Sequence, residues 1–285
     1  MSGYDADQAR VAVVQLPGVN CEYETAAVLR EAGLAAEVFR WNRPPEELAA
    51  FDAYVIPGGF SYEDRVRAGA VAAKAPAMDV VAAAAEAGKP VLGICNGAQV
   101  LVEAGLVPGT SPGDVEMALA PNRGTRGYYC DWVHVKVHKD GRETAFTSRF
   151  EDGEVFPVPV AHAEGRFTVR DLDRFEAWEE AGQVPLRYVE PDGEPARGFP
   201  FNPNGSLLAA AGVTNPAGNV LAFMPHPERA SHLRQVPGTI PGKWGRRRRE
   251  ASRRLDALEG PGPGFKMFQS LADYLRWGGD REESR

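Results

Sequence analysis

Within the first 105 residues, short apolar runs alternate with longer stretches of helical character, and the junctions carry glycine or proline. RVAVVQL (residues 10 to 16) runs into Pro-Gly, AAEVFRW follows a segment closed by Gly33, DAYVIPGGF ends in Pro-Gly-Gly, and PVLGIC leads into NGAQVLVEAG. Apolar runs this short, separated by helical segments, read as buried strands in βαβ units of a parallel sheet. An alanine-rich helical region is expected from about Ala68 to Gly88. The fold class is therefore α/β, a mostly parallel sheet flanked by helices. Loops that do chemistry belong at the carboxyl ends of its strands.

After Gly113 the pattern changes. DWVHVKVH alternates like a half-exposed strand, and VPVPVAH, PLRYVE, SLLAAAG and NVLAFMP are further short strands. They read as a mixed, antiparallel extension within a single domain spanning residues 1–285. Residues 232–264 break the order. They begin and end in Pro/Gly, carry a basic helix in the middle, and read as an irregular insertion before a last amphipathic helix, FKMFQSLADYLRW.

Composition removes several function classes. A net charge of −7 offers no global basic footprint for nucleic acid. The most apolar stretch is interrupted by Lys74, Pro76 and Asp79, so no membrane span is expected. The opening MSGYDADQAR is polar and acidic, unlike a secretory leader. Three cysteines in 285 residues do not make a disulfide framework, which fits a reducing cytoplasm.

The strongest local signal is GICNG, where Cys95 stands between a strand and a helix with Gly93 and Gly97 as its flanks. G-x-C-x-G is the thiol form of the nucleophile elbow. The turn exposes the side chain at the sheet edge, the N–H of Asn96 points into the same space, and the helix N-terminus favours the thiolate. A buried structural cysteine is the competing reading. A thiol nucleophile needs a base, and the base needs an orienting group. Of five histidines, His226 in MPHPERA is the better placed, just past a buried strand and on the edge where Cys95 belongs. Glu228 is two residues on, and Pro227 holds the chain extended between them so that the carboxylate can turn back toward the imidazole. His134, His138 and His232 read as surface or structural residues, and His162 as the weaker base. Gly58 and Gly59, after the third strand, allow close backbone approach to a substrate.

GICNGAQ, PGG and HPE, in this order, resemble the class I (triad) glutamine amidotransferases. PGVNCEYE, GGFSYEDRVRAGAVA, AHAEGRF, NPNGS and MPHPERA together are similar to the separate-chain glutaminase subunit of phosphoribosylformylglycinamidine synthase, over roughly residues 10 to 230 and the last helix. The resemblance implies that Cys95 attacks the glutamine side-chain amide, His226 serves as base and then acid, and Glu228 holds His226. It implies an oxyanion hole from the backbone N–H groups of Gly59 and Asn96, and substrate contacts at Gly58 and Gln99. Thr125 stands where the family's serine helps bind glutamine, and Tyr128 where it has phenylalanine, in a divergent segment PNRGTRGYYCDW. Ammonia would pass to a large synthetase subunit that uses ATP and magnesium to make formylglycinamidine ribonucleotide in purine biosynthesis, with a small subunit bridging the two. No cofactor or metal is implied for this chain. Glu63 replaces the family's usual glycine, Val66 its leucine, and residues 232–264 exceed its usual connection.

Other readings remain beside this one. A different amidotransferase of the class, feeding guanylate or histidine synthesis, would share the triad but lack NPNGS and AHAEGRF. A cysteine-elbow hydrolase of the peptidase and chaperone type would draw its histidine from beside the elbow, where this chain has Asn96. A silent binding module would have lost a triad residue. RRRREASRR, with six arginines in nine residues, reads as a solvated helix or subunit contact, since it lacks interleaved aromatics. PGTIPGKWG fails as a phosphate loop because Trp244 follows the lysine where Ser or Thr would bind magnesium. Cys21 has no elbow, and Cys130 reads as a strand residue.

Overall fold

The computed structural model describes residues 8–277 except 112, 126 and 141. Most of the polar N-terminal stretch, residues 1–7, lies outside the described residues, as does Arg126 of the divergent segment. The expected strands form: β1 (Arg10–Gln15), β2 (Ala35–Arg40), β3 (Ala53–Ile56) and β4 (Val91–Ile94). After β5 (Ala118–Ala120) come β6 (Tyr129–Val137), β7 (Val155–His162), β8 (Arg166–Thr168), β9 (Leu186–Val189), β10 (Ala210–Thr214) and β11 (Val220–Phe223). Nine of them build one sheet in the order β2-β1-β3-β4-β11-β10-β9-β6-β7, while β5 and β8 pair separately. The pairings from β2 through β11 are parallel, with β11 as the fifth strand of a flavodoxin-like 2-1-3-4-5 order. From β11 outward to β7 every pairing is antiparallel. The antiparallel half thus continues the parallel one edge to edge.

β3, β4 and β11 are buried along their whole length, because helices and loops cover both faces of the parallel region. This is why they read as continuous apolar runs. α1 (Glu22–Glu31) carries Glu22 and Glu24 in its first turn and Arg30 in its last, matching the helix dipole. Gly33, at φ +88, ends it in the left-handed conformation. The alanine-rich region is only partly helical. A 3-10 turn covers Ala72–Lys74, and α2 (Pro76–Glu86) starts with Pro76, which suits the first helical position and cannot extend a helix backward. α3 (Asn96–Glu103) follows β4, and α4 (Leu172–Glu180) begins with Asp171 capping the N–H of Asp173.

The basic segment carries the expected helix in its middle. It forms α5 (Lys243–Glu250) and α6 (Leu255–Leu258) before α7 (Phe265–Trp277). Leu233, Val236, Ile240, Trp244 and Ala251 bury a satellite core of their own, against which Trp132 of β6 packs. Arg247 stacks over the Trp244 ring at 4.5 Å, and Arg234 and Arg254 pair with Glu259 and Asp256. Sequence periodicity missed this because the apolar residues are spaced through turns, not along one helix.

Candidate active site

The loops after β1, β3, β4 and β11 converge at the carboxyl edge of the parallel sheet. After β4 the chain turns within one residue: Cys95 sits at φ +51, ψ −106, and α3 starts at Asn96. An L-residue avoids this conformation unless its surroundings enforce it, and strain of this kind belongs to nucleophile elbows. The flanking glycines are steric requirements. A Cβ at Gly97 would lie 1.8 Å from the carbonyl oxygen of Ile56, and one at Gly93 would lie 2.6 Å from that of Gly97. The N–H of Cys95 donates to the Phe223 carbonyl at 2.8 Å, tying the elbow to β11.

His226 lies just past β11, and its N–H donates to the Pro159 carbonyl at 2.8 Å. Its Nδ1 meets Oε1 of Glu228 at 2.6 Å, with both side chains buried. The chain between them is not extended as expected. Pro227–Ala230 form a 3-10 turn with His226 at its start, and this turn brings the carboxylate back to the imidazole. His226 Nε2 and Glu228 Oε2 are buried without a hydrogen-bond partner among the described residues. Gly58 is the point of convergence: a Cβ there would lie 2.8 Å from His226 Cε1, 3.1 Å from Cys21 Sγ and 3.5 Å from Cys95 Cβ. Gly59, at φ +146, packs its backbone against Val19 and Asn20. Its N–H makes no hydrogen bond among the described residues. Asn96, first in α3, has no intrahelical acceptor for its N–H.

The side chains of Asn96 and Gln99 brace the site. Asn96 Oδ1 accepts from the Ser61 N–H at 3.0 Å, and its Nδ2 donates to Gln99 Oε1 at 2.9 Å and Asp64 Oδ1 at 3.3 Å. Gln99 Nε2 donates to the Glu164 carbonyl at 2.6 Å. Both ends of the Gln99 amide are therefore engaged by the protein. Thr125 is half-buried in the divergent segment, with no hydrogen bond to Cys95, His226 or Glu228 among the described residues. Tyr128 is exposed, with its ring 6.2 Å from that of Phe60. Burial, then the nearby Cys95, raises the Tyr128 phenol.

Burial by itself would lower the His226 pKa. The Glu228 carboxylate, then Cys95, with the Cys21 and Cys95 sulfurs close to the ring, outweighs burial and holds the imidazole well above its ordinary range. Burial pushes the Cys21 thiol up, so Cys21 remains protonated. His162 is driven down to about 3, first by burial and then by His226.

Sequence reasoning missed several of these residues. Cys21, after β1, donates to Asn20 Oδ1 at 3.2 Å and accepts from Arg229 Nη2 at 3.1 Å. Arg229 also pairs with Glu24. Donor atoms of Cys21, His226 and Glu228 lie within 4.8 Å of one another, a grouping that the linear spacing hid. Cys21 Sγ, His226 Nδ1 and Glu228 Oε1 already serve the Arg229 and His226–Glu228 hydrogen bonds. Asp64, which accepts from Asn96, lies close enough to Glu164 for the two carboxylates to repel. Burial, then Glu164, raises Asp64. For Cys21, Arg229 and Asp64 the available signal was topological: every loop after a parallel strand of this sheet reaches the same edge.

AHAEGRF and NPNGS form one scaffold. Asn122 Oδ1 accepts from the Gly165 N–H, Asn204 Nδ2 donates to the Gly165 carbonyl at 2.7 Å, and Ser206 Oγ accepts from the Phe167 N–H. Gly165 is required because a Cβ there would lie 2.3 Å from the His162 ring.

A cysteine elbow on a flavodoxin-like sheet, with a buried His–Glu pair on the neighbouring strand, defines a class I glutamine amidotransferase. Residues 8–275 match the CobB/CobQ-like glutamine amidotransferase domain family. The phosphoribosylformylglycinamidine synthase subunit PurQ of Methanothrix thermoacetophila is 45% identical over 274 residues, covering 93% of this chain and 98% of that protein. PurQ of Pyrococcus furiosus is 45% identical over 78% of this chain and 90% of its own. A chain in the structure of PurLQS from Thermotoga maritima superposes with a TM-score of 0.68 at 34% identity, covering 94% of this chain and 99% of that one. The chain belongs to the PurQ family, the glutaminase subunits of phosphoribosylformylglycinamidine synthase.

Proposed function

We propose that the chain hydrolyses glutamine through a thioester on Cys95 and delivers ammonia to an ATP-dependent synthetase. His226 takes the thiol proton of Cys95, and the sulfur attacks the side-chain carbonyl carbon of glutamine. The oxyanion is met by the N–H groups of Gly59 and Asn96. The His226 imidazolium protonates the amide nitrogen, the C–N bond breaks, and ammonia leaves. Water then attacks the thioester with His226 as base, the thiol is released, and glutamate remains. One difficult amide hydrolysis becomes two easier steps. Glu228 stays ionised and holds Nδ1–H, which fixes the tautomer and stabilises the imidazolium. Gly58 leaves open the space where Cys95 and His226 meet. Gln99 acts through the Glu164 loop it holds, and Asp64 and Glu164 present negative charge to the α-ammonium of glutamine. Tyr128, close to Cys95 and His226, stands at the mouth.

The observation that carries this reading is the buried 2.6 Å contact between His226 and Glu228, facing a cysteine held at φ +51. The expected partners are a large synthetase that binds ATP and magnesium and a small bridging subunit, all in the cytoplasm. The test is glutamate release from glutamine by the purified chain, alone and with its synthetase, bridging subunit, ATP and formylglycinamide ribonucleotide. Cys95→Ser should reduce turnover about a thousandfold or more while the chain stays folded. Retained turnover would overturn the nucleophile assignment. The isolated chain should be a poor glutaminase, so that ammonia is made only where it is consumed. High activity in isolation would contradict that point.

A further inference from the structure

A cleft of about 510 Å³ opens on the antiparallel half of the sheet, lined by none of the residues discussed above for glutamine chemistry. We propose that it is a binding site for a small phosphate monoester carrying a compact organic group. The argument begins with charge. Lys136, His138, Arg187 and Arg197 line the cleft, and no Asp or Glu is among its described lining residues, in a chain whose net charge is −7.

Lys136 on β6 and Arg187 on β9 are direct cross-strand partners. Like charges placed opposite one another in a sheet repel, so such a pair needs an anion beside it. The protein supplies only part of one. Glu179 of α4 pairs with Arg187 Nη2 at 2.7 Å. Lys136 reaches a carbonyl, that of Gly193, at 3.5 Å, and neither Lys136 nor Arg197 has an ion pair among the described residues. The Nε–H of Arg187 is buried with no acceptor among the described residues, a state that destabilises a protein unless a partner arrives. His138 has its pKa lowered by burial, then by Arg187, against the opposing effects of Asp140 and Asp152.

The rest of the wall combines Tyr188, Asn202 and Ser206 with apolar residues. Ala196 and Leu208 line it, and Leu208 is 43% exposed there. Leu208 and Ala209 hold φ of +48 and +53, two successive left-handed non-glycine residues in the cleft wall. Strain of this kind persists where a ligand surface must be presented. Inorganic phosphate would occupy a small fraction of the volume, which is of the size that small organic ligands fill. The polar end fits a phosphate dianion, for which guanidinium and ammonium groups are the usual partners.

Calorimetric titration of the full chain with adenosine 5′-monophosphate, and separately with adenosine, tests this. The proposal expects saturable one-to-one binding of the monophosphate and binding of adenosine at least about tenfold weaker. Lys136→Gln combined with Arg197→Gln removes two cations that pair with no carboxylate, so it strands no buried acid. This variant should unfold at the wild-type temperature and bind the monophosphate at least about tenfold more weakly. Absence of saturable binding to the wild type would overturn the proposal. So would undiminished binding by the folded variant. Equal affinity for a poly-glutamate peptide would also overturn it, making the cleft a contact for an acidic protein segment.

Discussion

At the scale of single residues, the site is a set of close approaches that only particular side chains permit. Gly93 and Gly97 let α3 press against β4 and β3, and that pressure holds Cys95 in its strained turn. Gly58 leaves room for His226, Cys21 and Cys95 to meet. The triad was legible in the sequence because each member has a local signature: a glycine-flanked cysteine, and a histidine and glutamate around proline after a buried strand. Cys21, Arg229, Asp64 and Glu164 were not, because their neighbours come from distant loops and only the strand order joins them. The raised pKa of His226 depends on Glu228 as its foremost opposing influence to burial. Glu228→Gln should therefore lower that pKa, readable by NMR titration of labelled imidazoles, and reduce glutamine turnover about a hundredfold or more. An unmoved His226 titration would show that Glu228 does not set the charge of the imidazole.

At the scale of elements, the loop after β3 carries the clearest conflict between sequence and backbone. Tyr62, Glu63 and Asp64 lie at φ +52, +57 and +51, and Val66 at +72. A glycine at position 63 would suit this backbone, and Glu63 does not. Its exposed ion pair with Arg65 adds little in return. Left-handed backbone disfavours an L-residue by roughly 1–2 kcal/mol, and glycine's greater unfolded freedom takes back roughly half. Glu63→Gly should thus stabilise the chain by about 0.5–1 kcal/mol, seen as a higher denaturant midpoint with an unchanged slope. A lower midpoint would mean that Glu63 makes a contact worth more than the strain. The strands were legible at this scale through their apolar runs and alternation, including the full antiparallel set. The short β5–β8 pair and the satellite core around Trp244 were not, because three-residue strands and turn-spaced apolar residues leave no period to read.

At the scale of the whole molecule, one nine-stranded sheet joins a catalytic edge to an antiparallel wing, and the AHAEGRF–NPNGS scaffold links them through buried His162. That histidine ties pH to stability. Its folded pKa of about 3 lies below the ordinary value, so the unfolded chain takes up a proton that the folded chain refuses. Stability is full above about pH 6.5 and declines as pH falls toward 3, by about 2 kcal/mol at pH 5 from this residue. His134 and His138 are depressed too and act in the same direction, while His226, raised, favours the folded state at low pH and loses that contribution as pH rises. His162→Asn should flatten the fall in unfolding midpoint between pH 7 and 5, and an identical slope would remove His162 from the account. The central claim, that ammonia released at Cys95 feeds a synthetase, is tested most directly by isotope transfer. The assembled complex is given ATP, formylglycinamide ribonucleotide and glutamine labelled with 15N in its side-chain amide, and the product is weighed by mass spectrometry. Wild type should yield labelled formylglycinamidine ribonucleotide, and Cys95→Ala none from glutamine but normal product from ammonium salt. Labelled product from Cys95→Ala would contradict the account.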